Sequence, residues 1–264
     1  MLVFPQLTTG AVALYPVTRQ SVLRTVVNTL SDGSTVIYSD PDAAQTMWEI
    51  QAKGLTGAEW NSIEALFDAV AGQWQTFTLL DPAGNLFANS ELLSAGSWIN
   101  GALIELTAGI TDPLGTTRAT QVVNAGIAAE GVTQALAVPG NYRYSLSTWA
   151  KTIGGSSVTL AASTTGASVA TTFPLTTSWQ WISIPVSLAQ STTSVTFGVQ
   201  LAAGATVDLF GMQVEAQPAP SAYKMTGTNG GVYASARFAS DSLTVRAQST
   251  DVFDATIRIV SGGN

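Results

Sequence analysis

Two residue types are missing outright: the 264-residue chain contains no cysteine and no histidine. Without cysteine there is no disulfide, no thiolate nucleophile and no cysteine-ligated metal. Without histidine, Ser-His and Cys-His catalytic arrangements are excluded, together with the commonest transition-metal ligand. The enzyme class left standing works with paired carboxylates, as in glycoside hydrolysis. Charge is scarce as well. Only 10% of the residues are charged, against about 25% in a typical globular protein. Ten lysines and arginines spread over the whole length, with a net charge of −7, make no basic face. Nucleic acid and anionic membranes are therefore excluded as partners. No apolar run is long enough to cross a bilayer. The N-terminal "MLVFPQLTTGAV" lacks a basic region and carries Pro5, so no cleaved signal peptide is expected.

What is abundant is apolar or small and polar. Apolar residues make up 46% of the chain, enough for a sizeable core. The excess of Thr, Ser, Val and Ala favours β-sheet layers. Residues 1–84 and 228–264 have a varied, helix-bearing texture, whereas residues 85–227 are dominated by Ser, Thr, Ala and Gly.

In the outer segments, residues 21–30 and 35–39 are β-rich runs around "SDGS", a hairpin signal with Gly33 free to take positive φ. "MWEIQA" alternates, with Trp48, Ile50 and Ala52 on one face. A helix follows. Thr56 and Glu59 form a capping box, Trp60, Ile63, Phe67 and Val70 fall on one stripe, and Gly72 stands at the stop. "WQTFTLL", "DSLTV" and "ATIRIV" read as strands. Trp48, Trp60 and Trp74 are assigned to the core joining this helix to its sheet.

Between these segments the pattern is short alternating strands joined by Gly, Pro, Ser and Thr. "NYRYSLSTWAK" puts Tyr144, Leu146, Thr148 and Ala150 on one face and Ser145, Ser147, Trp149 and Lys151 on the other. "SVTFGVQL" puts Val195, Phe197, Val199 and Leu201 inward. "VDLFGMQVE" puts Phe210, Met212 and Val214 inward, with Gly211, Gln213 and Glu215 outward. Such spacing predicts a jelly-roll β-sandwich, and "EAQPAPSAY" reads as its exit linker. The fold expected is mostly β. A discontinuous β-sandwich frame with one amphipathic helix (residues 1–84 plus 228–264) carries an inserted jelly-roll domain (residues 85–227). A domain whose termini lie close together tolerates such insertion.

The order hairpin, "WEIQAKGLTGAEWNSIEALFDAVAGQWQTFTLLDP", then terminal strands ending at "IRIV" resembles the distal tail proteins of long-tailed bacteriophages and related tail-like particles. The insert resembles carbohydrate-binding modules, through "NLFANSELL…W" at Asn85 to Trp98, "DPLGTTRATQV", "YSLSTWAK", "SWQWISI" and "LFGMQVEAQPAPSAY". The resemblance implies a virion protein of the tail tip. It would form a hexameric ring joining the tail tube to the baseplate hub and display modules that bind host-surface polysaccharide. A free-standing lectin-like protein and a tail-borne glycosidase are the alternatives. Related modules hold a structural calcium. Here Asp208 fits the last strand but Leu93 stands where an acid belongs, so no cofactor is expected and Asp208 is only a weak metal candidate.

No catalytic residue is expected. Glu105, Asp112, Glu130, Asp208 and Glu215 are available in the insert, but no local spacing singles out a pair. A sugar presents an apolar C–H face ringed by hydroxyls, so its site wants an aromatic platform beside hydrogen-bonding groups. Of the insert's tryptophans, Trp149 and Trp181 fall by parity on the outward face, with Arg118, Lys151, Gln213 and Glu215 as polar partners. Trp98 and Trp179 are read as packing at the sandwich edge.

Overall fold

A computed structural model of the protein describes residues 1–262. The chain begins with β1 (Val17–Thr29), β2 (Thr35–Leu55), α1 (Gly57–Ala69) and β3 (Phe77–Leu80). Then come β4 (Ile99–Asn100), β5 (Ile104–Ile110), β6 (Ala119–Asn124), β7 (Glu130–Leu136) and β8 (Arg143–Lys151). They are followed by β9 (Ser157–Thr164), β10 (Ala167–Pro174), β11 (Gln180–Ser187), β12 (Val195–Leu201) and β13 (Thr206–Glu215). The chain closes with β14 (Val232–Phe238), β15 (Val245–Ser249) and β16 (Val252–Gly262). Strands hold 51% of the residues against 5% in the single helix found among the described residues, so the protein is mostly β, as its composition implies.

Two compact units result. The first comprises Met1–Thr8, Ala13–Leu79 and the chain from Tyr233 onward; the second comprises Thr9–Val12 and Leu80–Val232. The sequence drew the junctions at 84/85 and 227/228. The second unit reaches further because the backbone ties both ends into it. The Asp81 amide donates to the Gly231 carbonyl at 2.8 Å, and the Gly231 amide donates to the Asn85 carbonyl at 2.8 Å. Gly230 has to be glycine at this closure, since a Cβ would lie 2.2 Å from the Leu86 carbonyl oxygen.

In the first unit the sheet order is β1-β2-β16-β14-β3, with β15 pairing on β16. Helix α1 starts where expected. The Thr56 hydroxyl accepts from the Glu59 amide at 3.3 Å, and the Glu59 carboxylate accepts from the Thr56 amide at 2.9 Å. Its stripe buries Trp60, Ile63, Leu66 and Val70, and Phe67 stacks edge-on to Phe238 at 5.1 Å. Trp48 is buried against Tyr233 at 4.6 Å.

Two expectations fail here. Trp74 is 72% exposed rather than core. Ala71 and Gly72 both take positive φ and reverse the chain after the helix, so Trp74 leaves the stripe that holds Trp60 and Ile63. Its carbonyl accepts from the Arg237 guanidinium. The second miss is β2, a continuous strand from Thr35 to Leu55 rather than separate runs. Pairing with β1 holds it on both sides of residues 41–44, through Arg24 with Asp40 and Val22 with Gln45, and the two strands step out of register between these pairs. The outer half of this ribbon leaves Leu23, Val27, Ile37 and Tyr38 exposed.

The second unit is a sandwich of two five-stranded sheets, β10-β9-β12-β7-β4 and β11-β8-β13-β6-β5. Its core is filled by alternate residues. Val195, Phe197, Val199 and Leu201 are buried on β12, and Tyr144, Leu146, Thr148 and Ala150 on β8, as the periodicity predicted.

Candidate functional site

The outer face of the β11-β8-β13 strands carries an aromatic row. Trp149 on β8 lies opposite Trp181 on β11 and opposite Phe210 on β13. The two indoles are 5.4 Å apart between ring centroids. Phe210 was expected to point inward. The register of β13 against β8 slips between Phe210 and Gln213, so one extra residue intervenes. Gly211 provides for it with φ +69°. Such a bulge turns residues on its two sides onto the same face. Phe210 thus joins Trp149, while Gln213 and Glu215 remain outward by direction.

Outward does not mean exposed. The stretch read as an exit linker folds back across the sheet. The Ser221 amide and hydroxyl donate to the Glu215 carboxylate at 2.8 and 2.6 Å, and the Lys224 ammonium pairs with it at 2.5 Å. The Lys224 amide donates to the Gln213 side-chain oxygen at 2.8 Å. Gln213 and Glu215 are buried beneath this strap and anchor it, so they are not available as partners for a ligand. Tyr223 packs its ring 5.3 Å from Phe210. Its hydroxyl donates to Glu91 at 3.0 Å and bonds Ser90 at 2.8 Å. Burial raises the phenol well above its usual range, so it stays neutral.

The result is a cleft of about 600 Å³, within the range of small-molecule sites. Trp149, Trp181 and Phe210 form its floor, with Pro113 and Leu114 on one side and Pro220 to Tyr223 on the other. The Pro113 side is held by Asp112, whose carboxylate accepts from the Leu114 and Thr116 amides at 2.7 and 3.1 Å. Burial pushes the Asp112 carboxyl upward, but these bonds and the Thr116 hydroxyl outweigh it and hold the group below the usual aspartate value.

Arg118 and Lys151 flank the aromatic row. The Arg118 guanidinium lies 5.3 Å from the centre of the Phe210 ring and pairs with Glu91 at 3.0 Å and Asp112 at 3.5 Å. The Lys151 ammonium sits over Trp179 at 4.9 Å and pairs with Asp208 at 3.5 Å. Asp208 also accepts from the Gln121 amide at 3.2 Å. A lone carboxylate facing an ammonium and an amide does not fit a calcium site, which needs six or more oxygens. No group of three or more His, Cys, Asp or Glu is placed for a metal among the described residues. Trp98 is core, stacked on Phe87 at 4.7 Å.

Of the residues singled out in the sequence, the structure brings Trp149 and Trp181 together and puts Arg118 and Lys151 at their flanks. Phe210, Leu114 and the strap were missed. The glycine following Phe210 inside a strand pattern was the available sign of a bulge.

No protein-family model and no curated protein matches the chain. Solved structures do. A family 61 carbohydrate-binding module in complex with β-1,4-galactotriose is 13% identical, with a TM-score of 0.39, covering 49% of this chain and 97% of that one. The family 22 xylan-binding domain of Xyn10C from Paenibacillus barcinonensis is 15% identical, with a TM-score of 0.40 and coverages of 53% and 98%. The enzymatically active domain of tailspike protein 4 from bacteriophage CBA120 is 12% identical, with a TM-score of 0.41. That match covers 52% of this chain but only 22% of the tailspike chain. The structural neighbours are thus carbohydrate-binding modules and a phage tailspike domain.

Proposed function

We propose that this chain is a non-enzymatic structural protein of a phage tail tip, a distal tail protein whose second unit binds host-surface polysaccharide. The observation that carries the binding half is the Trp149–Trp181 pair, 5.4 Å apart on the floor of a cleft lined by no charged side chain. Two adjacent indoles offer flat apolar area to the C–H face of a sugar, and polar backbone groups of the cleft walls can meet its ring hydroxyls. Catalysis by paired carboxylates finds no support, because no cleft-lining residue is an acid and Asp112, Glu130, Asp208 and Glu215 are engaged elsewhere. Glu215 binds Lys224, Asp208 binds Lys151, and Glu130 accepts from the Leu103 amide.

The tail half rests on the resemblance of the first unit to distal tail proteins. In that reading it closes into a hexameric ring between tail tube and baseplate hub. The exposed Val27 and Ile37, paired across the outer ribbon on one face, are consistent with a surface covered by a partner in such a ring. Two measurements test the proposal. Trp149→Ala should weaken polysaccharide binding at least about tenfold, a loss of roughly 1.4 kcal/mol, with the fold intact. Unaltered binding would remove the cleft from consideration. Imaging of intact particles should place the protein at the tail tip in a closed ring, and a location elsewhere would refute the tail assignment.

A further inference from the structure

Three cations stand beside the cleft or its strap, and each is held by a carboxylate more deeply buried than itself. Lys151, with 21% of its side chain exposed, faces Asp208 at 4%. Arg118, at 38%, faces Glu91 at 13% and Asp112 at 0%. Lys224, at 32%, faces Glu215 at 4%. Three positive charges against four negative ones leave this ring with a net charge of one minus. Arg143 lies at the other end of β8, six residues from Trp149, a distance on the order of 20 Å along a strand.

We infer that the cleft selects uncharged sugars and rejects acidic ones (uronates, sialic acids, phosphate-bearing glycans), with Asp208 and Glu91 as the residues that enforce the choice. The inference rests on the glycan-binding reading above. An anionic sugar would leave water for an apolar floor and find every neighbouring cation already paired, so its desolvation goes uncompensated. To use Lys151 or Arg118 it would have to displace a buried carboxylate, which would then be stranded. A neutral sugar asks only for the indole faces and hydrogen bonds. Asp208 and Glu91 act through the cations they hold and need not touch the ligand.

The test measures affinity of the full chain for a panel of neutral oligosaccharides, xylohexaose and β-1,4-galactotriose among them, each beside a uronate-bearing counterpart of equal length. Every neutral sugar that binds should do so at least about tenfold more tightly than its acidic counterpart, the scale of one poorly screened charge a few ångströms away. Asp208→Asn keeps the shape and the Gln121 contact while releasing Lys151; it should shrink that ratio by about tenfold. Glu91→Gln should do the same through Arg118 and serves if the first variant does not melt cooperatively. Equal or tighter binding of uronates by the wild type overturns the inference while leaving the glycan site in place. An unchanged ratio in a folded variant overturns the role of these acids. Failure of every member to bind overturns the glycan reading and this inference with it.

Discussion

At the scale of single residues, the site depends on a position with no side chain. Gly211 has φ +69° and lies under Tyr223, where a Cβ would come within 3.0 Å of the ring. Gly211→Ala should destabilise the protein by about 1–2 kcal/mol from left-handed backbone strain alone. It should also weaken sugar binding, because the ring it displaces is one wall of the cleft. Denaturant melts and titration with an oligosaccharide check both effects, and a variant identical to wild type in both would contradict the bulge. The same glycine explains why the platform was only half legible. Trp149 and Trp181 follow from strict alternation, whereas Phe210 depends on the one place where alternation breaks.

At the scale of elements, α1 was legible because its determinants are local. A capping box and a spaced apolar stripe sit within a few residues of one another. The continuous β2, the outward Trp74 and the strap were not legible, since each is decided by distant segments. β1 pairs with β2 on both sides of residues 41–44, Arg237 holds the Trp74 carbonyl, and Glu215 with Gln213 draws residues 221–224 across the sheet. The cap also makes an acid-stability prediction. Glu59 accepts from the Thr8 amide and hydroxyl at 2.8 and 2.6 Å as well as from Thr56. Burial raises its carboxyl, but these bonds outweigh it and leave the folded value below the ordinary 4.5. A depressed value means that the contribution is complete above 4.5 and is lost as pH falls through the lower native value. Melts taken between neutral pH and pH 3 should show this loss, and Glu59→Gln should flatten that part of the curve. Thr56→Ala should cost about 0.5–2 kcal/mol at neutral pH.

At the scale of the whole molecule, the first unit should fold without the second. Its core is drawn from Phe4, Trp48, Ile50, Trp60, Ile63, Phe77, Phe238, Ile257 and Ile259, all outside residues 87–226. Replacing 87–226 with a short Gly-Ser linker should leave a cooperative melt, followed by circular dichroism. A chain that loses its transition would show that the two units share one core.

Apart from the short segment Thr9–Val12, the second unit is one stretch, Leu80–Val232, joined to the first unit by the chain at both its ends. A protease that cuts at only one of these ends leaves the module attached through the other. Release into the medium requires a second cut, and its rate falls with the product of two exposures instead of one. Under the function proposed above, a doubled covalent leash would retain the sugar-binding unit on the particle after the first cut.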